Sequence, residues 1–110
     1  MKRSISIFAA SMLFVGAVFA GTAGLGTPAS PYAMWNGVLL VPTDGARANV
    51  PACATESARF AINGTTAAGK VQVATMLMAI AMGKKIYVWG TGTCSVWSDT
   101  ETIDFFQIAP

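Results

Sequence analysis

The first 20 residues decide how much of this chain there is to fold. Lys2 and Arg3 give a short positive start. An apolar run from Ile5 to Ala20 follows, interrupted only by Ser6, Ser11 and Gly16, and it closes on Val18-Phe19-Ala20. Charged start, apolar middle and small-residue end make the layout of a secretory signal peptide. Cleavage is expected after Ala20, with Ala23 as a second choice. A spanning helix needs roughly 20 apolar residues, and this run is shorter, so no stable membrane anchor is expected after cleavage. No cysteine follows the junction to take a lipid. The folded body is then a single domain of about 90 residues, secreted or periplasmic in a bacterium.

A body of that size buries a low share of its surface and often needs a covalent staple. Cys53 and Cys94 are the only cysteines. Export carries them to an oxidising compartment, where a disulfide forms and persists. The other reading is a pair of metal ligands. With no histidine and no further cysteine, no metal site is expected.

Charge narrows the partners. Without the leader, Arg47, Arg59, Lys70, Lys84 and Lys85 stand against Asp44, Glu56, Asp99, Glu101 and Asp104. Nucleic-acid binders carry a basic excess that neutralises phosphate. This balance excludes that class, and no polybasic membrane patch is present.

Residues 21–34 are rich in Gly, Ala, Ser, Thr and Pro and read as a flexible lead-in to a domain spanning 35–110. Trp35 to Val41 is apolar on both sides, the pattern of a central strand. Pro42-Thr43-Asp44-Gly45 is a turn signal, and a weak strand, Ala46 to Val50, follows it. Ala58 to Asn63 is the next strand. Thr65 or Thr66 can cap a helix over Ala67 to Met82, which Gly83 ends. Its inward arc reads as Val71, Val73, Ala74, Leu77, Met78, Ile80 and Ala81. That arc is wider than the usual apolar stripe, so either a small domain wraps its only helix or part of the arc suits a homo-oligomer contact through the helix. Lys85 to Trp89 alternates strictly. Ser95 to Glu101 is a polar loop. Thr102 to Ile108 is the last strand, with Ile103 and Phe105 on the face opposite Asp104, Phe106 and Ile108. The order β-β-β-α-β-β suits a small β-barrel with one helix, OB-fold-like. A two-layer α+β sandwich would use the same elements.

The run of Cys53, Ala58-Arg59-Phe60-Ala61-Ile62-Asn63, Ala68-Gly69-Lys70, an Ala/Met/Leu helix, Gly83-Lys84, a Val/Trp strand, Gly90-Thr91-Gly92-Thr93-Cys94 and a closing strand resembles a group of short secreted bacterial proteins. Their layout is similar to that of the OB-fold B subunit of subtilase cytotoxin, a ring-forming glycan binder. The resemblance covers residues 35–108. It implies the fold, a structural disulfide, self-association and glycan binding. No glycan-contacting residue of that subunit is matched here.

The chemistry-bearing motifs are few. Gly64-Thr65-Thr66-Ala67-Ala68-Gly69-Lys70 fits the first seven positions of a P-loop between a strand and a helix. Val71 stands where magnesium needs Ser or Thr, so no nucleotide or other cofactor is expected. Without histidine, Ser–His and Cys–His nucleophile pairs are excluded. Asp99, Glu101 and Asp104 could form a carboxylate pair but read as solvated acids. Trp35 and Trp89 read as mainly structural. Trp97 in its polar loop, with Ser95, Ser98 and Asp99 beside it and Tyr87 from the strand before, is the candidate ligand-binding set. Together these observations imply a binding module with a glycan or protein partner, and no enzyme.

Overall fold

The computed structural model describes residues 20–110. The leader expectation falls on residues 1–20 and, apart from Ala20, lies outside the described residues. The elements are β1 (Thr22–Gly26), β2 (Tyr32–Ala33), β3 (Val38–Pro42), β4 (Arg47–Ala48), β5 (Arg59–Asn63), α1 (Ala67–Ala81), β6 (Ile86–Gly90) and β7 (Glu101–Ile108).

All seven strands join one sheet in the order β2-β3-β5-β7-β6-β1-β4. Pairing is antiparallel except between β5 and β7, which run parallel. The helix lies between β5 and β6 in the chain, as expected. A barrel closed by strand pairing is not formed, since β2 and β4 are the two ends of the order. What stands is a β-rich domain with one mixed sheet and one helix.

Residues 21–34 are not a flexible lead-in. β1 sits between β6 and β4, and β2 pairs with β3. Between them Pro28 bridges Thr43, and the Ala29 amide donates to the Pro42 carbonyl at 3.2 Å. One continuous stretch therefore pairs with β6 at its start and with β3 at its end. Its composition has low strand propensity, so the order comes from partners on both sides rather than from the segment. The weak strand expected over Ala46 to Val50 shrinks to Arg47–Ala48 and pairs with β1.

The main core lies between the sheet and α1. Leu39, Val41, Phe60, Ile62, Ile86, Val88 and Ile103 meet Met76 and Ala79, all buried. β3 is buried on both sides, as its sequence implies. Val38, Leu40 and Ala61 form a second cluster, covered by Met34, Val96 and Trp97. Cys53 and Cys94 are bonded, with Cα atoms 6.1 Å apart. The bridge ties the loop after β4 to the loop before β7, and such a bond suits an oxidising environment.

Thr66 caps the helix, accepting from the Gly69 amide at 2.9 Å. Gly83, at φ 66°, follows its last turn. The inward face differs in part from the expectation. Gly69, Met76 and Ala79 are buried, and Val73 and Ile80 of the expected arc pack against the core, whereas Val71, Ala74, Leu77, Met78 and Ala81 are exposed. Few polar residues mark one side of this helix, so its sequence sets no strong facing preference. Contact sets it: the Gly69 backbone sits so close to the Asn63 carbonyl that a Cβ there would collide.

Candidate binding surface

The alternation on β6 sends Ile86 and Val88 into the core and Tyr87 and Trp89 outward. On β7 the alternation is broken. Trp89 pairs with Phe105, but Gly90 pairs with Ile103, so one residue of β7 is extra. Ile103, Phe106 and Ile108 therefore face the core, and Phe105 faces out. This corrects the expected shared face of Ile103 and Phe105. A β-bulge shifts all later side chains by one position.

The outcome is a row of aromatics on the outer side of the sheet. The Trp89 and Phe105 rings stack at 4.6 Å and 8°. Tyr87 leans on Trp89 at 6.4 Å and 40°. Phe105 is 51% exposed. Gln107 lies opposite Tyr87 and Thr22 opposite Trp89 in the register, which brings polar groups to the margin of the row. Beside Phe105, a notch of 160 Å³ opens between β7 and α1, lined also by Val71, Gln72 and Thr75. Gln72 donates its Nε2 to the Asp104 carbonyl at 2.9 Å, which holds the helix against β7 at this point. Offset and stacked aromatics offer flat apolar faces with electron-rich surfaces.

The candidate set read from the sequence is divided. Trp97, Ser95, Ser98 and Asp99 share the loop before β7, and Tyr87 belongs to the row just described. Trp97 is half-buried over the Val38–Leu40–Ala61 cluster. Trp35 is no core residue: it is 84% exposed in the turn between β2 and β3 and meets Trp97 edge-on at 5.7 Å. The cause is the turn itself, in which the Gly37 amide donates to the Met34 carbonyl and the strand begins only at Val38. The Ser95 hydroxyl lies 3.4 Å from that of Thr102, and Ser98 is exposed. Asp99 Oδ1 accepts from the Thr100 hydroxyl at 2.8 Å and from Arg59 at 3.1 Å. Chiefly through the Thr100 bond, and then through Arg59, its pKa is held below the ordinary 3.8; partial desolvation opposes them.

Glu101 is not solvated. It is fully buried, and both of its oxygens are occupied. Arg47 meets Oε1. The Gly21 and Gly92 amides each donate to Oε2 at 2.8 Å. A Cβ on Gly90 would collide with the same carboxylate, so the Gly90-Thr91-Gly92 run is shaped to fit around it. Arg47 in turn donates to the Thr22 and Ser57 carbonyls and lies over the Phe60 ring at 4.3 Å. Asp99 and Glu101 thus have separate partners and form no carboxylate pair.

The P-loop-like segment has a local explanation. Gly64 N donates to the Gly37 carbonyl, Thr65 N to Asn63 Oδ1, Gly69 N to Thr66 Oγ1 and Lys70 N to the Thr66 carbonyl. Four of the segment's seven amides are thus bonded within the protein. An apolar cleft of 390 Å³ lies nearby, between α1 and the start of β3, lined by Met34, Val38, Val73 and Leu77 with Lys70 as its one charge. Among the described residues no cluster of three metal-ligating side chains occurs, and no helix is long and apolar enough to cross a membrane.

The aromatic row was only half visible in the sequence. Tyr87 and Trp89 alternate plainly. The spacing along β7 puts Phe105 on the face of Ile103, because nothing in it announces the bulge. Comparison with protein-family models, curated proteins and solved structures gives no match.

Proposed function

We propose that this protein is an exported, non-enzymatic binding module of OB-like build that holds carbohydrate on the outer face of β6 and β7. The observation that carries the reading is the stacked Trp89–Phe105 pair with Tyr87, set on the sheet surface instead of in the core. The apolar C–H face of a sugar ring packs on such a surface, while Gln107 and the Tyr87 hydroxyl at the margin of the row would exchange hydrogen bonds with its hydroxyls. The OB-like build is supported by the parallel β5–β7 pair, the helix between β5 and β6, and the stretch 22–33 that reaches from β6 to β3. Export into the periplasm or medium is supported by the leader pattern and by the Cys53–Cys94 bond. A glycan array, followed by titration of the best ligand against intrinsic tryptophan fluorescence, tests the ligand class. Phe105→Ala and Trp89→Ala should each weaken binding by tenfold or more. A blank array, or binding untouched by both changes, would reject the assignment.

A second reading, a protein-interaction domain without a small ligand, is favoured by the helix. Val71 is 66% exposed, Met82 57%, Met78 50% and Leu77 44%, on or at the end of a helix that presents little charge outward. Apolar area of this kind marks contact surfaces. Here the partner is a second copy of the chain. The mass in solution by light scattering should exceed that of the monomer and fall to it in Leu77→Asp/Met78→Asp. A monomeric wild-type protein would remove this reading.

A further inference from the structure

Gly21 is buried, while Ala20 just before it is exposed. The Gly21 nitrogen donates to Glu101 Oε2 at 2.8 Å, and its carbonyl accepts from Gly90 N at 2.7 Å. A Cβ at position 21 would collide with Glu101 Oε1 and with the Arg47 guanidinium, so a larger residue there would have to displace that pair. The site is thus built around a glycine nitrogen aimed at a buried carboxylate, one bond after the Val18-Phe19-Ala20 junction.

We propose that hydrolysis of the Ala20–Gly21 bond creates an α-ammonium at Gly21 that docks on Glu101, so that processing adds a third charge to the Glu101–Arg47 pair. The inference rests on the export reading above. Water adds across the peptide bond under a signal peptidase of the exporting cell. Ala20 leaves as a carboxylate, and the Gly21 nitrogen keeps the electron pair of the broken bond and gains protons. Removing the exposed Ala20 opens one side of the new ammonium to water and leaves its contact with Glu101 in place.

The charged groups facing Gly21 are Glu101 from β7 and Arg47 from β4. From β6 the Gly90 amide donates to its carbonyl. Glu101 favours the protonated amine and Arg47 opposes it from the other carboxylate oxygen. Coulomb energy falls with distance, so the direct contact wins and the amine titrates above the ordinary range of about 7.7–8.0. Because the folded value is raised, the added stability is complete below the unfolded value. It is lost as pH rises through the folded one.

The test starts with the intact mass of protein recovered outside the cytoplasm of an exporting host. A chain beginning at Gly21 is expected. A cut elsewhere overturns this inference alone, whereas an uncut chain kept in the cytoplasm overturns the export reading as well. The mature protein is then compared with the same chain extended upstream by a short uncharged Gly/Ser linker. The mature form should melt higher at pH 6 by several degrees, because a charged donor replaces the neutral amide that meets the same carboxylate in the extended chain. The gap should close by pH 10. Equal melting at pH 6 would overturn the proposal. Glu101→Gln should abolish the gap. Should that variant not fold, NMR titration of the isotopically methylated Gly21 amine in the wild-type chain decides, and an ordinary value there sinks the idea.

Discussion

A carboxylate without exposed surface is costly unless each oxygen is met, and Glu101 meets that condition through Arg47, Gly21 and Gly92. Glu101→Ala leaves the Arg47 guanidinium buried with its charge uncompensated. The expected loss is about 3–5 kcal/mol, a large part of the stability of a small domain. Urea denaturation followed by circular dichroism measures it. Arg47→Ala should cost a similar amount, and the double variant should cost clearly less than the two losses together, since each single change strands the same partner. None of this is legible in the sequence. An acid between Thr100 and Thr102 at the end of a polar loop looks solvated, and its burial depends on Gly21, some 80 positions away. Asp99, two residues earlier, behaves as its surroundings suggest. Its pKa is lowered, so its contribution is complete above the unfolded value and lost as pH falls through the folded one. Asp99→Asn should lower the melting temperature at pH 6, and the difference from the wild type should shrink as pH falls below the unfolded carboxylate value.

The helix shows which properties belong to an element alone and which do not. Its extent and ends were readable, because Thr66 and Gly83 act through backbone chemistry within a few residues. Its orientation was not, because Val, Leu, Met and Ala occur all round it. The side that is buried is the one where Gly69 lets the first turn approach the end of β5. The disulfide is an element of a different kind. It closes a separation of 41 residues between two loops that otherwise carry little secondary structure. On loop-entropy grounds it stabilises the domain by about 4 kcal/mol. Cys53→Ser/Cys94→Ser should lower the guanidinium midpoint accordingly, and reductant should do the same to the wild type. A midpoint unchanged by both would show that the sheet holds without its staple.

Across the whole molecule, the segment most undervalued by composition is the one that links the two sides of the sheet. Residues 22–33 pair with β6, β4 and β3 in turn. A chain starting at Trp35 keeps the helix, both cysteines and the apolar strands, yet it loses Ala23 from the core and the Gly21 amide from Glu101. It should fail to give a cooperative thermal transition, whereas the chain starting at Gly21 should melt cooperatively. If the shorter chain melts like the longer one, the segment is dispensable after all.

The sequence by itself determined the local and covalent features: the leader pattern, one pair of cysteines, the capped helix, and the alternating strands at β5 and β6. These follow from chemistry acting over a few residues or from simple counting. Tertiary structure alone decided the facing of the helix, the bulge that turns Phe105 outward, the strand made from a glycine-rich lead-in and the burial of Glu101. Each depends on which distant backbone comes within hydrogen-bonding or contact distance, and no spacing along the chain encodes that meeting.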